Sequence, residues 1–321
     1  MPHSQTLTHL LRPFQPYFDD ASIEEIIVNR PGEVWIWRKG AFECHEIALD
    51  ADDIIDIGIV AGAQRRQDVG PDKPLLATDL QGMGRLQVVL PPCVADGKPS
   101  LVIRRGNAFS PSLDDLAIAG LFKSTKRRRG AASLEDDRLL RFYQEEDWPR
   151  FLREAVLAKK TIVTCGETAS GKTTVAKGLI NAIPLNERLI TIEDTPEWTD
   201  LPHRNQVNLF YSKDSHDVTP RHLVAAALRM RIGRLLVQEL RDGDAAFAFL
   251  RAVKSGHRGG VTTVHSDNPE AAFMAIAVQM KETEAGASLD TEDVLAMLRQ
   301  NIDVIAHCIR TDVDGITEFK V

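Results

Sequence analysis

Apolar and polar positions alternate in short bursts between residues 23 and 47. Glu25-Ile26-Ile27-Val28, Val34-Trp35-Ile36-Trp37 and the stretch 42–47 each read as a strand, separated by the turn formers Asn29-Arg30-Pro31-Gly32 and Lys39-Gly40. That is the pattern of a β-meander. The period then lengthens, and Ile54, Ile55, Ile59 and Val60 fall on one side of a helix predicted over 52–64. Strands return at 84–90 and 101–105, so residues 1–106 are expected to form an α+β domain. Periodicity weakens from 110 to 148, where a basic run at 123–129 precedes an acidic stretch at 135–137. Residues 107–150 therefore read as a linker carrying a short helix or two.

The remainder, 151–321, alternates strands with helices. Apolar runs at 161–165, 189–192, 235–237, 261–264 and 304–309 are buried-strand candidates, and a helix reaching Ile183 is closed by Pro184. A turn at 312–315 suggests a terminal hairpin. This α/β alternation implies a mainly parallel sheet covered on both faces.

Composition narrows the picture. With 43% hydrophobic and 26% charged residues in 321, the chain is ordinary globular material of about two domains, neither a disordered tail nor a disulfide miniprotein. The formal net charge of -7, together with the lack of aromatic residues interleaved with basic ones, argues against direct nucleic-acid binding. Cys44, Cys93, Cys165 and Cys308 are isolated, which fits a reducing compartment and no zinc module. The first twelve residues lack a secretory signal, and no run of about 18 apolar residues occurs, so a soluble cytosolic chain is expected.

One motif carries chemistry outright. Gly166-Glu167-Thr168-Ala169-Ser170-Gly171-Lys172-Thr173 matches G-x-x-x-x-G-K-[ST], with a predicted strand before it and a predicted helix after it. Glycines let successive N–H groups turn toward phosphates, and the helix presents its positive end. The nucleotide-binding set is Gly166, Thr168, Ala169, Ser170, Gly171, Lys172, Thr173 and Thr174. Lys172 would neutralise β- and γ-phosphate charge in ATP, and the Thr173 hydroxyl would hold Mg²⁺.

Two carboxylate stations accompany the loop. Glu193 and Asp194 follow one apolar strand and Glu239 follows another, at the edge where open α/β sheets bind ligands. Their separation suggests a division of labour between metal and attacking water, with Glu193 and Asp194 as metal candidates. His257 and His265 flank a Gly-Gly and a β-branched strand; no further ligands stand at metal spacing, so an imidazole at a strand end is read as a sensor of γ-phosphate or of the Glu239 network.

These boxes, in order, resemble the hexameric secretion ATPases, and within them the traffic ATPases of type IV secretion and conjugation systems. The match runs through the phosphate loop, Ile192-Glu193-Asp194-Thr195, the Walker B-like stretch 235–241, the His box 255–265, and Arg229-Met230-Arg231. The first domain joins it through residues 85–92 and Val102-Ile103-Arg104-Arg105. Three positions depart from the family's habit: Gln238 in place of Gly, Arg258 in place of Pro, and Arg241-Asp242-Gly243-Asp244 in place of Arg-x-x-Glu.

The resemblance implies a RecA-like C-terminal P-loop domain, a smaller N-terminal domain, and a homohexameric ring holding ATP at the domain junction. Arg85, Arg104 or Arg105 would then reach the γ-phosphate as an arginine finger. It implies a bacterial protein, cytoplasmic and peripheral at the inner membrane, partnered by other secretion-system ATPases and channel components. The basic run at 123–129 is one that anionic lipid would attract, but solvated linker charge is the commoner explanation of such a run. The alternative reading is a pilus extension or retraction motor of the related type II branch, whose extension ATPases usually carry a tetracysteine zinc module that this chain lacks.

Overall fold

The computed structural model describes residues 2–80, 82–106, 112–118, 120, 123, 134–212, 217–310 and 317–320. Residues 124–129 of the basic run and the turn at 312–315 lie outside them.

The chain opens with α1 (Pro2–Leu10), a 3-10 turn (Arg12–Phe14) and α2 (Gln15–Asp19), which periodicity had not marked. Strands β1 (Ile23–Val28), β2 (Glu33–Arg38) and β3 (Ala41–Glu46) form the expected meander. Helix α3 (Ala51–Ala63) starts at a capping box, in which Asp50 accepts from the Asp53 N–H and Asp53 accepts from that of Asp50. Its buried stripe is Ile54, Ile57 and Ala61, so Ile59 ends outside, 46% exposed. Strands β4 (Leu75–Asp79), β5 (Gly84–Val89) and β6 (Ser100–Arg105) complete an antiparallel sheet ordered β3-β2-β1-β6-β5-β4.

Helices α4 (Leu113–Ile118), α5 (Leu134–Gln144) and α6 (Trp148–Leu157) follow. Leu139 and Phe142 of α5 share a buried cluster with Phe151, Ile162 and Ala176, so α5 packs as part of the second layer system. That system runs β7 (Ile162–Gly166), α7 (Lys172–Asn181), β8 (Leu189–Glu193), β9 (Gln206–Phe210), α8 (Pro220–Ala227), β10 (Arg234–Val237), α9 (Gly243–Lys254), β11 (Val261–His265), α10 (Pro269–Lys281), α11 (Thr291–Asn301), β12 (Val304–Arg310) and β13 (Thr317–Lys320). Its sheet is ordered β13-β12-β7-β11-β10-β8-β9, parallel except for the β12–β13 pair. The fold is α/β with a separate antiparallel domain. No helix among the described residues is long and apolar enough to cross a membrane.

Alternation along the first sheet explains how the halves join. Ile26, Val28, Val88, Leu101 and Ile103 point into the core beneath α1 and α3. Their neighbours Ile27, Val89 and Val102 face the other way, into the core that holds Ile190, Leu209 and Leu223 of the second half. The small sheet is thus covered on both faces, which its unbroken runs of apolar residues require.

Candidate functional site

Strand register brings the motifs to one edge. β7 ends at Gly166 between β11 and β12, and His265 is the β11 residue paired with Gly166. Gly166 has φ +150°, a conformation open to glycine, and a Cβ there would collide with the Cys308 carbonyl oxygen and with Ser170. The loop then turns through Ala169 (φ 60°) and Gly171 (φ 90°) into α7, whose N-terminus has no side-chain cap. Ser170 Oγ is buried without a hydrogen-bond partner. An uncapped helix start and an orphaned hydroxyl fit phosphate oxygens, which would accept from both. Thr168, Ala169, Thr173 and Thr174 are exposed around this cradle.

Lys172 Nζ donates to the carbonyls of Gly166 (2.8 Å) and Glu167 (2.5 Å), folding back over its own loop. It also lies 3.4 Å from His265 Nδ1. An ammonium has only donors, so Nδ1 accepts and the imidazole carries its hydrogen on Nε2, which lies 3.1 Å from Glu239 Oε1. Glu239 Oε2 accepts from Arg241 Nε at 2.6 Å, and the same Nε lies 3.6 Å from Asp194 Oδ2. Lys172, His265, Glu239, Arg241 and Asp194 thus form one chain of contacts across the ends of β7, β11, β10 and β8. Burial pulls the Lys172 ammonium below its usual range, a shift that Glu239 partly offsets. Beside it lies a cleft of about 660 Å³ lined by Gly166, Glu167, Thr168, His265 and Ser266, and by Ala271 and Ala275 of α10.

Other candidates are placed elsewhere. Glu193 is fully buried, and both its oxygens are spent on the protein. Oε1 accepts from the Thr191 hydroxyl and from Asn208 Nδ2 (3.1 Å), and Oε2 from the N–H groups of Glu197 (2.9 Å) and Trp198 (2.8 Å). It shares the Thr191 face of β8, while Asp194, one residue on, points to the Arg241 side. His257 lies ahead of β11, at the sheet edge opposite the phosphate loop, beside Arg188 and Gly233; burial lowers its pKa. It touches neither Glu239 nor the loop, which corrects its reading as a sensor. Among the described residues no cluster of three or more His, Cys, Asp or Glu could hold a metal by itself.

The N-terminal arginines separate equally clearly. Arg105 donates to the carbonyls of Phe18 (2.8 Å), Asp20 and Ile23 (3.1 Å), which ties α2 to the sheet and leaves little of its guanidinium for a ligand. Arg104 is 68% exposed, 3.7 Å from the buried Glu25, and Arg85 is exposed opposite it across β5 and β6.

The family model for type II/IV secretion system proteins matches residues 130–310. Protein VirB11 of Agrobacterium fabrum is 44% identical over 302 residues, covering 92% of this chain and 87% of that protein. The type IV secretion system protein VirB11 of Bartonella henselae is 39% identical over 326 residues, covering 97% and 90%. Among solved structures, the VirB11 ATPase of the Brucella suis type IV secretion system, in complex with sulphate, superposes with a TM-score of 0.92 at 35% identity, covering 98% of this chain and 96% of that one. The chain belongs to the VirB11 family of type IV secretion system proteins.

Within this VirB11-family site, sequence reasoning gave no role to two residues, taking Gln238 only as a departure from habit and Arg241 only as the end of the Walker B-like stretch. Arg241 bridges the two carboxylate stations, and Gln238 joins their backbones, its Oε1 accepting from the N–H groups of Asp194 (3.1 Å) and Thr195 (3.4 Å). The available signal was spacing: Glu239 and Arg241 are two apart beyond a strand, a separation that puts both on one side of extended backbone.

Proposed function

We propose that this protein is a ring ATPase that hydrolyses Mg·ATP at the Lys172 loop to power a type IV secretion or conjugation system. The observation that carries the reading is the continuous contact chain from Lys172 through His265, Glu239 and Arg241 to Asp194, because it joins all four motif boxes along one end of the sheet.

Within the site the charges satisfy one another. Phosphate arriving at the α7 N-terminus and Ser170 competes with the Gly166 and Glu167 carbonyls for Lys172, whose ammonium then neutralises β/γ charge. Lys172 leaving His265 frees Nδ1, so the imidazole changes partners as phosphate binds and can report on it. Glu239, released from Arg241, accepts a proton from or orients the attacking water. Thr173 and Asp194 would hold Mg²⁺, which supplies charge neutralisation at the phosphates; one hydroxyl and one carboxylate, completed by water and phosphate oxygens, is the donor set magnesium takes. Glu193 holds the 195–198 turn that carries this edge. Arg85 or Arg104 would complete the site as the finger, since Arg105 is committed to backbone carbonyls.

Identity of 44% over 92% of the chain to a VirB11 protein supports the secretion branch over the pilus-motor branch. The homohexamer, the cytoplasmic position at the inner membrane, the partner ATPases and channel components, and contact with lipid belong to this proposal. Phosphate release measured with Mg²⁺, in the presence and absence of DNA or anionic vesicles, tests it alongside particle images. A six-fold ring with Lys172-dependent release is expected, and release that persists in Lys172→Ala would remove the loop from the mechanism.

A further inference from the structure

Gln238 stands at the meeting point of three strand ends, 8% exposed. Its N–H donates to the Ile192 carbonyl (2.9 Å), and its carbonyl accepts from the Thr263 hydroxyl (2.9 Å). The side-chain Oε1 accepts from the Asp194 and Thr195 N–H groups at 3.1 and 3.4 Å. Two backbone donors converging on one atom leave no choice of amide orientation, because Nε2 in that place would face donors with a donor. Backbone and side chain of one residue therefore knit β8, β10 and β11 together, immediately before Glu239.

Two braces cross the gap between Asp194 and Glu239. Arg241 is the electrostatic one, and it is 46% exposed. A divalent cation arriving with nucleotide competes with a guanidinium for the same carboxylates, so this brace must yield when the site fills. The Gln238 brace holds backbone N–H groups rather than carboxylates, and a cation does not displace it. A glycine at this position would leave both N–H groups to water and the turn free to drift relative to Glu239.

We propose that Gln238 is a positioning residue that holds the Asp194–Thr195 turn at a fixed offset from Glu239 and so sets the site's affinity for divalent cation with nucleotide. The proposal rests on the ATPase reading of the same site. Gln238→Met keeps length without an acceptor, and Gln238→Glu keeps acceptor oxygens for both N–H groups.

In the full-length nucleotide-free protein, amide hydrogen exchange at Asp194 and Thr195 should speed up at least tenfold in Gln238→Met and return toward wild type in Gln238→Glu. With ADP bound, Mn²⁺ affinity read by electron paramagnetic resonance should weaken about tenfold in Gln238→Met, while ADP affinity without metal stays within about twofold. Unchanged exchange at the turn, or faster exchange with unchanged Mn²⁺ affinity, overturns the proposal alone. A wild-type protein that binds no ADP overturns the ATPase reading and the proposal together. Should Gln238→Met fail to fold, Gln238→Gly, which adds no atoms, carries the same two measurements with the same expected losses.

Discussion

Lys172 has two duties that pull in opposite directions. Burial lowers its pKa, so the charged form is a cost to the fold, while the same charge is what phosphate requires. For a base whose folded pKa is depressed, the stabilising contribution is present above the unfolded value and lost as pH falls through the folded one. Lys172→Met should therefore leave the thermal midpoint of the nucleotide-free protein no lower than wild type, while Lys172→Ala and Lys172→Met both lose nucleotide binding and more than nine-tenths of turnover; calorimetry and phosphate release read the two effects separately. The carboxylates divide as sharply. Glu239→Gln keeps size but loses the base, so turnover should fall about 100-fold or more with ATP affinity within about threefold. Glu193→Gln can keep an oxygen on the Glu197 and Trp198 N–H groups only by turning its NH2 toward the Asn208 Nδ2 donor, and should cost about 1–3 kcal/mol of stability, with affinity for ATP little changed; denaturant titration beside nucleotide binding separates a catalytic role from this structural one.

At the scale of elements, the sheet edge opposite the phosphate loop depends on a buried ion pair. Arg234, 1% exposed at the start of β10, meets Glu187 through Nη2 (2.8 Å) and Nε (2.9 Å), and also donates to the Val156 carbonyl at the end of α6. Lys159 reaches the same carboxylate at 2.9 Å. Burial alone would raise the Glu187 pKa, but the two cations outweigh it and hold it below the usual value of 4.5. A depressed carboxylate contributes stability that is present above the unfolded value and lost as pH falls through the folded one. Glu187→Gln should accordingly cost about 3–5 kcal/mol at neutral pH by leaving Arg234 underpaired. Urea midpoints followed downward from about pH 6 should draw together for wild type and variant as pH falls below the usual carboxylate value; a gap that stays constant would mean the carboxylate charge is not what matters. Elements were legible wherever the period was long or the run unbroken, as at β7, β8 and β11. β4 and β9 escaped because five residues of mixed polarity carry too little pattern, and α1 because its mix of Thr, Ser and His makes no apolar stripe of its own.

Across the whole molecule, the two sheets meet through apolar residues and a polar seam. Arg188 is fully buried, and burial pushes its pKa down to about 9. Its Nη1 donates to Asn29 (2.5 Å) of the first domain and to Asn205 (2.6 Å), and its Nε to the Met230 carbonyl (3.0 Å). Nearby, Arg231 lies 3.3 Å from Glu25 and stacks on Trp37. The first domain is therefore anchored at Arg188, just ahead of β8, the strand whose far end leads into Asp194. The finger belongs to this scale, since it would cross from one domain to the other. Charge reversal at Arg85 or Arg104 should lower turnover at least 100-fold at one of the two, with the proposed ring and ATP affinity retained. Arg105→Ala should instead lower the unfolding midpoint, because three carbonyls lose their donor, and its turnover should fall only as its folded fraction does. Turnover per folded molecule, with ring images for each variant, checks both statements.

By itself the sequence determined the phosphate loop and the mainly parallel α/β character of the second half, because each rests on local pattern: glycines where φ must be positive, apolar runs where a strand is covered on both sides. It also placed Asp194, Glu239 and His265 at strand ends, since a polar residue after an apolar run marks that end. Which of two adjacent carboxylates faces the cleft was a matter of strand register and pleat, and neighbouring residues on a strand point to opposite faces. Tertiary packing alone assigned Glu193 to its turn, Arg105 to the α2 carbonyls and His257 to the far edge. Gln238 and Arg241 acquired their roles in the same way, from partners far along the chain, 44 and 43 positions away for Gln238 with Asp194 and Thr195, contacts that no local period records.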